Sequence, residues 1–121
     1  MRGALTVLLR NGLFFADGHF GENLCVRVET GRVTAMGEGL APLAGEAVID
    51  LQGDFVLPGF VDAHIHAFRG HDTMQGEEAI RQMARELYRE GVAAFLPTTM
   101  SASVEDTRRV IAAVRRVMDT P

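Results

Sequence analysis

The feature that most constrains this chain is the run Leu57-Pro58-Gly59-Phe60-Val61-Asp62-Ala63-His64-Ile65-His66. Pro58-Gly59 punctuates the backbone, and residues 60–66 read as an apolar strand ending in two histidines one residue apart. Successive side chains of a strand point to opposite faces. Phe60, Asp62, His64 and His66 therefore share one face, and Val61, Ala63 and Ile65 share the other. Apolar residues on both faces are the mark of a strand buried within a parallel sheet. Two imidazoles on one face, about 6–7 Å apart along the strand, can converge on a single metal ion. His64 and His66 are thus the candidate metal ligands, and Asp62 is the candidate partner that orients an imidazole from behind. A hydrogen-bonded core pair is the plain structural alternative. The Gly-rich, polar stretch 67–76 comes next, where a site at a strand end would open. His71 and Asp72 lie in it as possible pocket-loop residues.

Upstream, the sequence is one of short strands and tight turns. Residues 4–9 read as a strand, Asn11-Gly12 as a two-residue hairpin turn, and Leu13 to Ala16 as the return strand, closed by Asp17-Gly18. Residues 23–29 alternate, Thr30-Gly31 turns a second hairpin, and 32–36 runs back with Val33 and Ala35 inward. Residues 37–45 form a loop holding Pro42 and three glycines. Residues 47–51 and 55–57 are further short strands around Gln52-Gly53-Asp54. The expectation for 1–57 is a small, incomplete, sandwich-like antiparallel β module with one buried face.

The pattern changes after residue 60. In 77–90, Ile80, Met83, Ala84, Leu87 and Tyr88 recur at helical spacing. Glu77 and Glu78 sit where the helix dipole favours acids, and Gly91 stands after them as a C-terminal cap. Residues 92–96 read as a second buried strand, stopped by Pro97. Ser103, with Asp106 three residues on, caps a second helix whose expected stripe is Thr107, Val110, Ile111, Val114, Val117 and Met118. Arg108, Arg109, Arg115 and Arg116 form its solvated face. Strand, helix, strand, helix with short links is the unit of a parallel α/β sheet.

Size and charge narrow the class. With 121 residues, 47% apolar, the chain has material for one modest core. A net charge of −4 gives no reason to expect nucleic acid or a membrane surface as partner. Cys25 is the only cysteine, which excludes an internal disulfide and suits a reducing, cytoplasmic setting. The apolar run in residues 4–9 is too brief for a signal peptide, and nothing approaches the ~20 residues of a membrane span.

Asp50-Leu51, Gly53 and the run 57–66 together resemble the opening of the amidohydrolase superfamily barrel. Gly70-His71-Asp72-Thr73-Met74, Glu90-Gly91-Val92 and Phe95-Leu96-Pro97-Thr98-Thr99 are similar, in order and spacing, to the N-acetylglucosamine-6-phosphate deacetylase family. The resemblance covers nearly the whole chain. It implies an α/β fold, in which the β module precedes 58–121 as the first two β/α units of an incomplete TIM-type (β/α)8 barrel. It also implies hydrolysis of N-acetylglucosamine 6-phosphate to glucosamine 6-phosphate and acetate, by a cytoplasmic homodimer holding one or two divalent ions, zinc or iron. His64 and His66 match the family's metal-binding pair. The remaining ligands and the general base match nothing in this chain and are expected beyond Pro121, so the chain carries no catalytic residue and is expected to be inactive alone. Residues 67–69 depart from the family pattern. Two other readings are a dihydroorotase- or hydantoinase-like cyclic amidase, and a non-enzymatic assembly fragment. A full barrel needs about 250 residues, so the sequence reads as the front of a longer protein.

Overall fold

The computed structural model describes residues 6–120; residues 4 and 5 of the expected first strand, and Pro121, lie outside them. The chain divides into two compact units, Met1–Pro58 and Gly59–Pro121.

In the first unit β1 (Thr6–Arg10), β4 (Leu24–Glu29), β5 (Arg32–Glu38) and β6 (Ala47–Asp50) form one sheet in the order β5-β4-β1-β6. A second sheet has the order β3-β2-β7, from β2 (Leu13–Ala16), β3 (His19–Gly21) and β7 (Phe55–Val56). Leu8, Phe14, Cys25 and Val26 are buried. The module is not purely antiparallel as expected: β1 runs parallel to β6, and β2 parallel to β7. Asn11-Gly12 is not a hairpin either, because β1 and β2 belong to different sheets. It is a corner, stacked on a second corner at 51–54. Gly53 N–H donates to the Asn11 carbonyl (2.7 Å) and Leu13 N–H to that of Asp54 (2.9 Å). A Cβ on Gly12 would lie 2.7 Å from Leu51 Cδ1 and 3.2 Å from the Asp54 carbonyl, so this glycine serves close approach. The true hairpin turns are Asp17-Gly18 and Thr30-Gly31, each with both residues at positive φ. Val33, expected inward, is exposed. Val28 faces Val33 but Arg27 faces Ala35, so Thr34 is an extra residue that reverses the alternation.

The first unit's long loop is held by one ion pair. Arg27 Nε donates to Glu46 Oε1 at 2.6 Å, and its Nη2 to the Ala41 carbonyl at 2.7 Å. The hydrogen bond from Arg27 keeps the Glu46 carboxyl below the usual carboxylate range.

The second unit runs β8 (Phe60–Ile65), β9 (Ala67–Phe68), β10 (His71–Asp72), a 3-10 turn (Thr73–Gln75), α1 (Glu77–Arg89), β11 (Val92–Pro97) and α2 (Val104–Asp119). β8 and β11 pair in parallel. The stretch after His66 is a small hairpin, not an open loop: β9 and β10 pair across Arg69-Gly70, both at positive φ. α1 buries Ala79, Ile80, Met83 and Leu87, while Tyr88 of the expected stripe is 77% exposed. α2 buries Val110 and Ala113, and leaves Ile111 and Met118 exposed. The buried ridge is therefore 110, 113, 114, 117, turned from the expected one because small Ala113 can approach its neighbours closely. Ser103 caps α2 as expected, accepting from Asp106 N–H at 3.0 Å and donating to its carboxylate at 2.7 Å. Those bonds, and Arg109, hold the Asp106 carboxyl below its usual range.

The two strands expected to be buried, β8 and β11, are not. Phe60 and Leu96 are exposed, and Val61 is 71% exposed. Their sequences suit cover on both sides, whereas among the described residues β8 and β11 have only each other as sheet neighbours. No helix of the described residues is long and apolar enough to cross a membrane.

Candidate metal centre

β8 begins at a close approach. A Cβ on Gly59 would lie 2.5 Å from Ala93 Cβ, so only glycine lets the strand start against β11. Phe60 N–H donates to the Gly91 carbonyl at 2.9 Å, and the parallel pairing runs on to Pro97 opposite Ile65. One step further, Thr98 N–H donates to the Ile65 carbonyl at 2.8 Å. That last bond sets Thr98 beside His66, just past the end of β8.

The imidazoles of His64 and His66 lie side by side, ring centroids 5.0 Å apart and planes at 74°. Their Nε2 atoms face each other at 3.1 Å. The other nitrogen of His66, Nδ1, is 3.1 Å from the Thr98 carbonyl oxygen. The main chain of His66 is pinned as well: its carbonyl accepts from Thr73 N–H at 2.9 Å. Thr73 is fully buried, with its hydroxyl 4.0 Å from Met83 Sδ. The ring position is thus tied to the core of the helical layer. His64 is exposed and His66 half-buried, so the pair opens to solvent.

The other candidates are placed differently. Asp62 accepts from the main-chain N–H of His64 at 3.0 Å, a bond to the backbone of its own strand and not to a ring. Asp72 caps the 3-10 turn, accepting from Met74 N–H at 2.7 Å, while Gln75 returns to Asp72 N–H at 3.0 Å. His71 is half-buried in β10, opposite Phe68. Among the described residues no three His, Cys, Asp or Glu side chains gather where they could hold a metal. Arg69, in the hairpin turn, pairs with Glu90 and with Glu86 and so anchors the hairpin to α1. The two anchors of His66, Thr73 and the Thr98 carbonyl, are main-chain contacts, for which the residue types alone carry no signal.

The donor set fits part of a metal site. Nitrogens 3.1 Å apart can each reach a common point at roughly the 2.0–2.1 Å of a zinc–imidazole bond. A ligating histidine ordinarily donates its other ring N–H to an oxygen, and the Thr98 carbonyl is such an oxygen for His66. Two donors are fewer than the three protein ligands of a typical catalytic zinc site.

Known proteins are similar to this chain in sequence and in fold. The N-acetylglucosamine-6-phosphate deacetylase of Lysinibacillus sphaericus is 28% identical over 102 residues, 84% of this chain and 26% of the relative. The dihydroorotase of Trichlorobacter lovleyi is 47% identical over 45 residues, 37% of this chain and 11% of the relative. The solved structure of the Pasteurella multocida N-acetylglucosamine-6-phosphate deacetylase superposes with a TM-score of 0.88 at 16% identity, covering 97% of this chain and 31% of that one. That likeness is one of fold. The chain therefore spans under a third of the length of each of these three. The model of the amidohydrolase family matches residues 47–116, more than half of the chain, and the chain belongs to that family.

Proposed function

We propose that this chain is the opening segment of a metal-dependent deacetylase that hydrolyses N-acetylglucosamine 6-phosphate to glucosamine 6-phosphate and acetate. In this reading 1–57 is an incomplete β module and 58–121 supplies the first two β/α units of a (β/α)8 barrel. The observation that carries it is the convergence of His64 Nε2 and His66 Nε2 at 3.1 Å, with His66 Nδ1 already on an oxygen. His64 and His66 would hold a divalent ion, zinc or iron, which when bound polarises an amide carbonyl and activates water. The chain's own part is orientation. Thr98 and Thr73 fix the His66 ring and main chain, and Asp62 holds the main-chain N–H of His64. Neither His71 nor Asp72 is given a role in proton transfer, since the Asp72 carboxylate is engaged in a turn cap. Two ligands alone do not make a hydrolytic site, so the 121 residues by themselves are inactive in this reading.

Calorimetric titration with Zn²⁺ tests the metal pair. One ion per chain is expected, with binding abolished by His64→Ala or His66→Ala; zinc binding indifferent to both substitutions overturns the reading. Metal-dependent deacetylation by the purified chain would overturn its inactivity. A second reading, a cyclic amidase, draws on dihydroorotase matches that span 37% to 51% of the chain, against 84% for the Lysinibacillus sphaericus deacetylase. Fusions of residues 1–121 to the remainder of each relative separate the two. Activity is expected only with the deacetylase remainder, and the reverse result selects the second reading.

A further inference from the structure

The two anchors of His66 sit on separate segments of the second unit. Thr73, whose N–H holds the His66 carbonyl at 2.9 Å, belongs to the 3-10 turn before α1. Thr98, whose carbonyl oxygen lies 3.1 Å from the His66 ring, follows β11. One anchor grips the main chain and the other meets the ring, so the ring keeps its place only while the two segments keep their spacing. A single side chain spans that gap. Met74 Sδ accepts from the Met100 N–H at 3.4 Å, across 26 positions of sequence. Met74 is covalently next to Thr73, and Met100 stands two residues past Thr98. The contacts therefore close a loop, from His66 to Thr73, from Met74 to Met100, and from Thr98 back to His66. We propose that Met74 is a positioning residue, whose thioether clasps the two segments and so fixes where the His66 ring stands beside His64.

The purpose of the clasp rests on the metal-pair reading above, while the clasp itself needs no metal. Its two ends differ in support. The turn that carries Met74 is braced: Met74 N–H donates to the Asp72 carboxylate at 2.7 Å, and Asp72 N–H donates to the Gln75 side chain at 3.0 Å. Thr73 is fully buried with its hydroxyl 4.0 Å from Met83 Sδ, which seats the same turn on α1. The other end is looser. β11 ends at Pro97 and α2 begins at Val104, so residues 98–103 lie outside regular structure, and Met100 is 51% exposed. The clasp thus ties a loose segment to a firm one. Methionine suits the task because it is unbranched and adaptable, and its sulfur is a weak acceptor. Leucine would fill a similar volume but offers no acceptor. Glutamine matches the reach and offers a carbonyl oxygen. Those two replacements separate a clasp from plain packing.

Amide hydrogen exchange and NMR of the EDTA-treated chain test the clasp without metal. In the unaltered chain the Met100 amide is expected to exchange about 3–10-fold more slowly than a free amide, the protection of one modest hydrogen bond. Met74→Leu is expected to abolish that protection, speed exchange at Thr73 and shift the carbon-bound ring protons of His66. Met74→Gln is expected to restore all three. A packing role predicts the reverse order, because leucine is the better apolar replacement. An unprotected Met100 amide in the unaltered chain overturns the proposal, and so does a glutamine variant no better than the leucine one. Should either variant fail to fold, the exchange rate of Met100 in the unaltered chain decides alone. Titration with Zn²⁺ adds the link to the metal pair. Met74→Leu is expected to weaken zinc binding by about 10-fold, and Met74→Gln to leave it near that of the unaltered chain. If the unaltered chain binds no zinc, the metal reading fails while the exchange data still decide the clasp. If it binds zinc and both variants bind equally well, the positioning role is overturned.

Discussion

The two units of this chain solve the problem of covering a strand in opposite ways. In the first, β1 has partners on both edges, β4 and β6, and β2 likewise has β3 and β7. Buried Leu8, Phe14 and Val26 come from those inner strands and from β4. In the second, β8 and β11 have only each other among the described residues, and apolar Phe60, Val61 and Leu96 remain exposed. Its buried side chains come instead from α1, α2 and the turn at Thr73. The unit that carries the histidine pair is thus the one whose sheet is unfinished, and its order depends on a helical layer behind the strands.

The largest expected effect stems from that dependence. Met83 is fully buried in α1 and touches Thr73, whose N–H holds the His66 carbonyl. Met83→Ala should destabilise the second unit by about 2–5 kcal/mol through lost burial and a residual cavity. Hydrogen exchange is expected to accelerate through α1, α2 and residue 73, with residues 6–58 unchanged. Equal acceleration in both units would break the comparison, because the first would then depend on the same core.

A smaller effect probes the first unit. Gly12→Ala would set a methyl 2.7 Å from Leu51 Cδ1 and 3.2 Å from the Asp54 carbonyl. The leucine can move but the carbonyl cannot, so a cost of about 1–3 kcal/mol is expected, confined to residues 6–58 and measured by denaturant unfolding. No cost would mean that the two corners are not stacked in solution.

That glycine also shows where sequence reasoning failed. Asn-Gly is favoured wherever a chain turns tightly, and nothing local tells a hairpin from a corner between sheets. The parallel pairing of Arg10 with Asp50, which makes it a corner, lies 40 positions away. The hairpin at Arg69-Gly70 was hidden for another reason: arginine is not a residue that advertises positive φ, yet Arg69 adopts it, held by Glu86 and Glu90. Helix periods were legible, and their rotation was not, since a small Ala113 outweighed the larger Ile111 in choosing the buried ridge. In the candidate site the alternation rule placed His64 and His66 together. Their anchors, Thr73 N–H and the Thr98 carbonyl, were illegible because every residue but proline carries both groups.

The smallest effect sharpens the comparison through charge. In the first unit, Arg27 and Glu46 are 12% and 0% exposed at the side chain. In the second, Glu77 (36%) takes Arg116 (59%) and Arg81 (23%), joining the ends of α1 and α2. Hydrogen bonds, from Arg27 in one case and from Arg116 then Arg81 in the other, hold both carboxyls below their usual range. A carboxyl whose pKa is lower folded than unfolded stabilises above the unfolded value, about 4.3, and that contribution fades as pH falls through the lower folded value. Acidification from about pH 7 to about pH 3 should therefore loosen loop 39–46 and the α1–α2 junction alike, and Glu46→Gln or Glu77→Gln should flatten the acid response of its own unit. Salt separates them. At 1 M the screening length is about 3 Å and acts on charges that water reaches. High salt at neutral pH should speed exchange near Arg116 and spare the loop on Glu46. An equal salt response would mean that the first unit's ion pair is as open to solvent as the second's, and the contrast between a self-covered unit and an open one would not extend to charge.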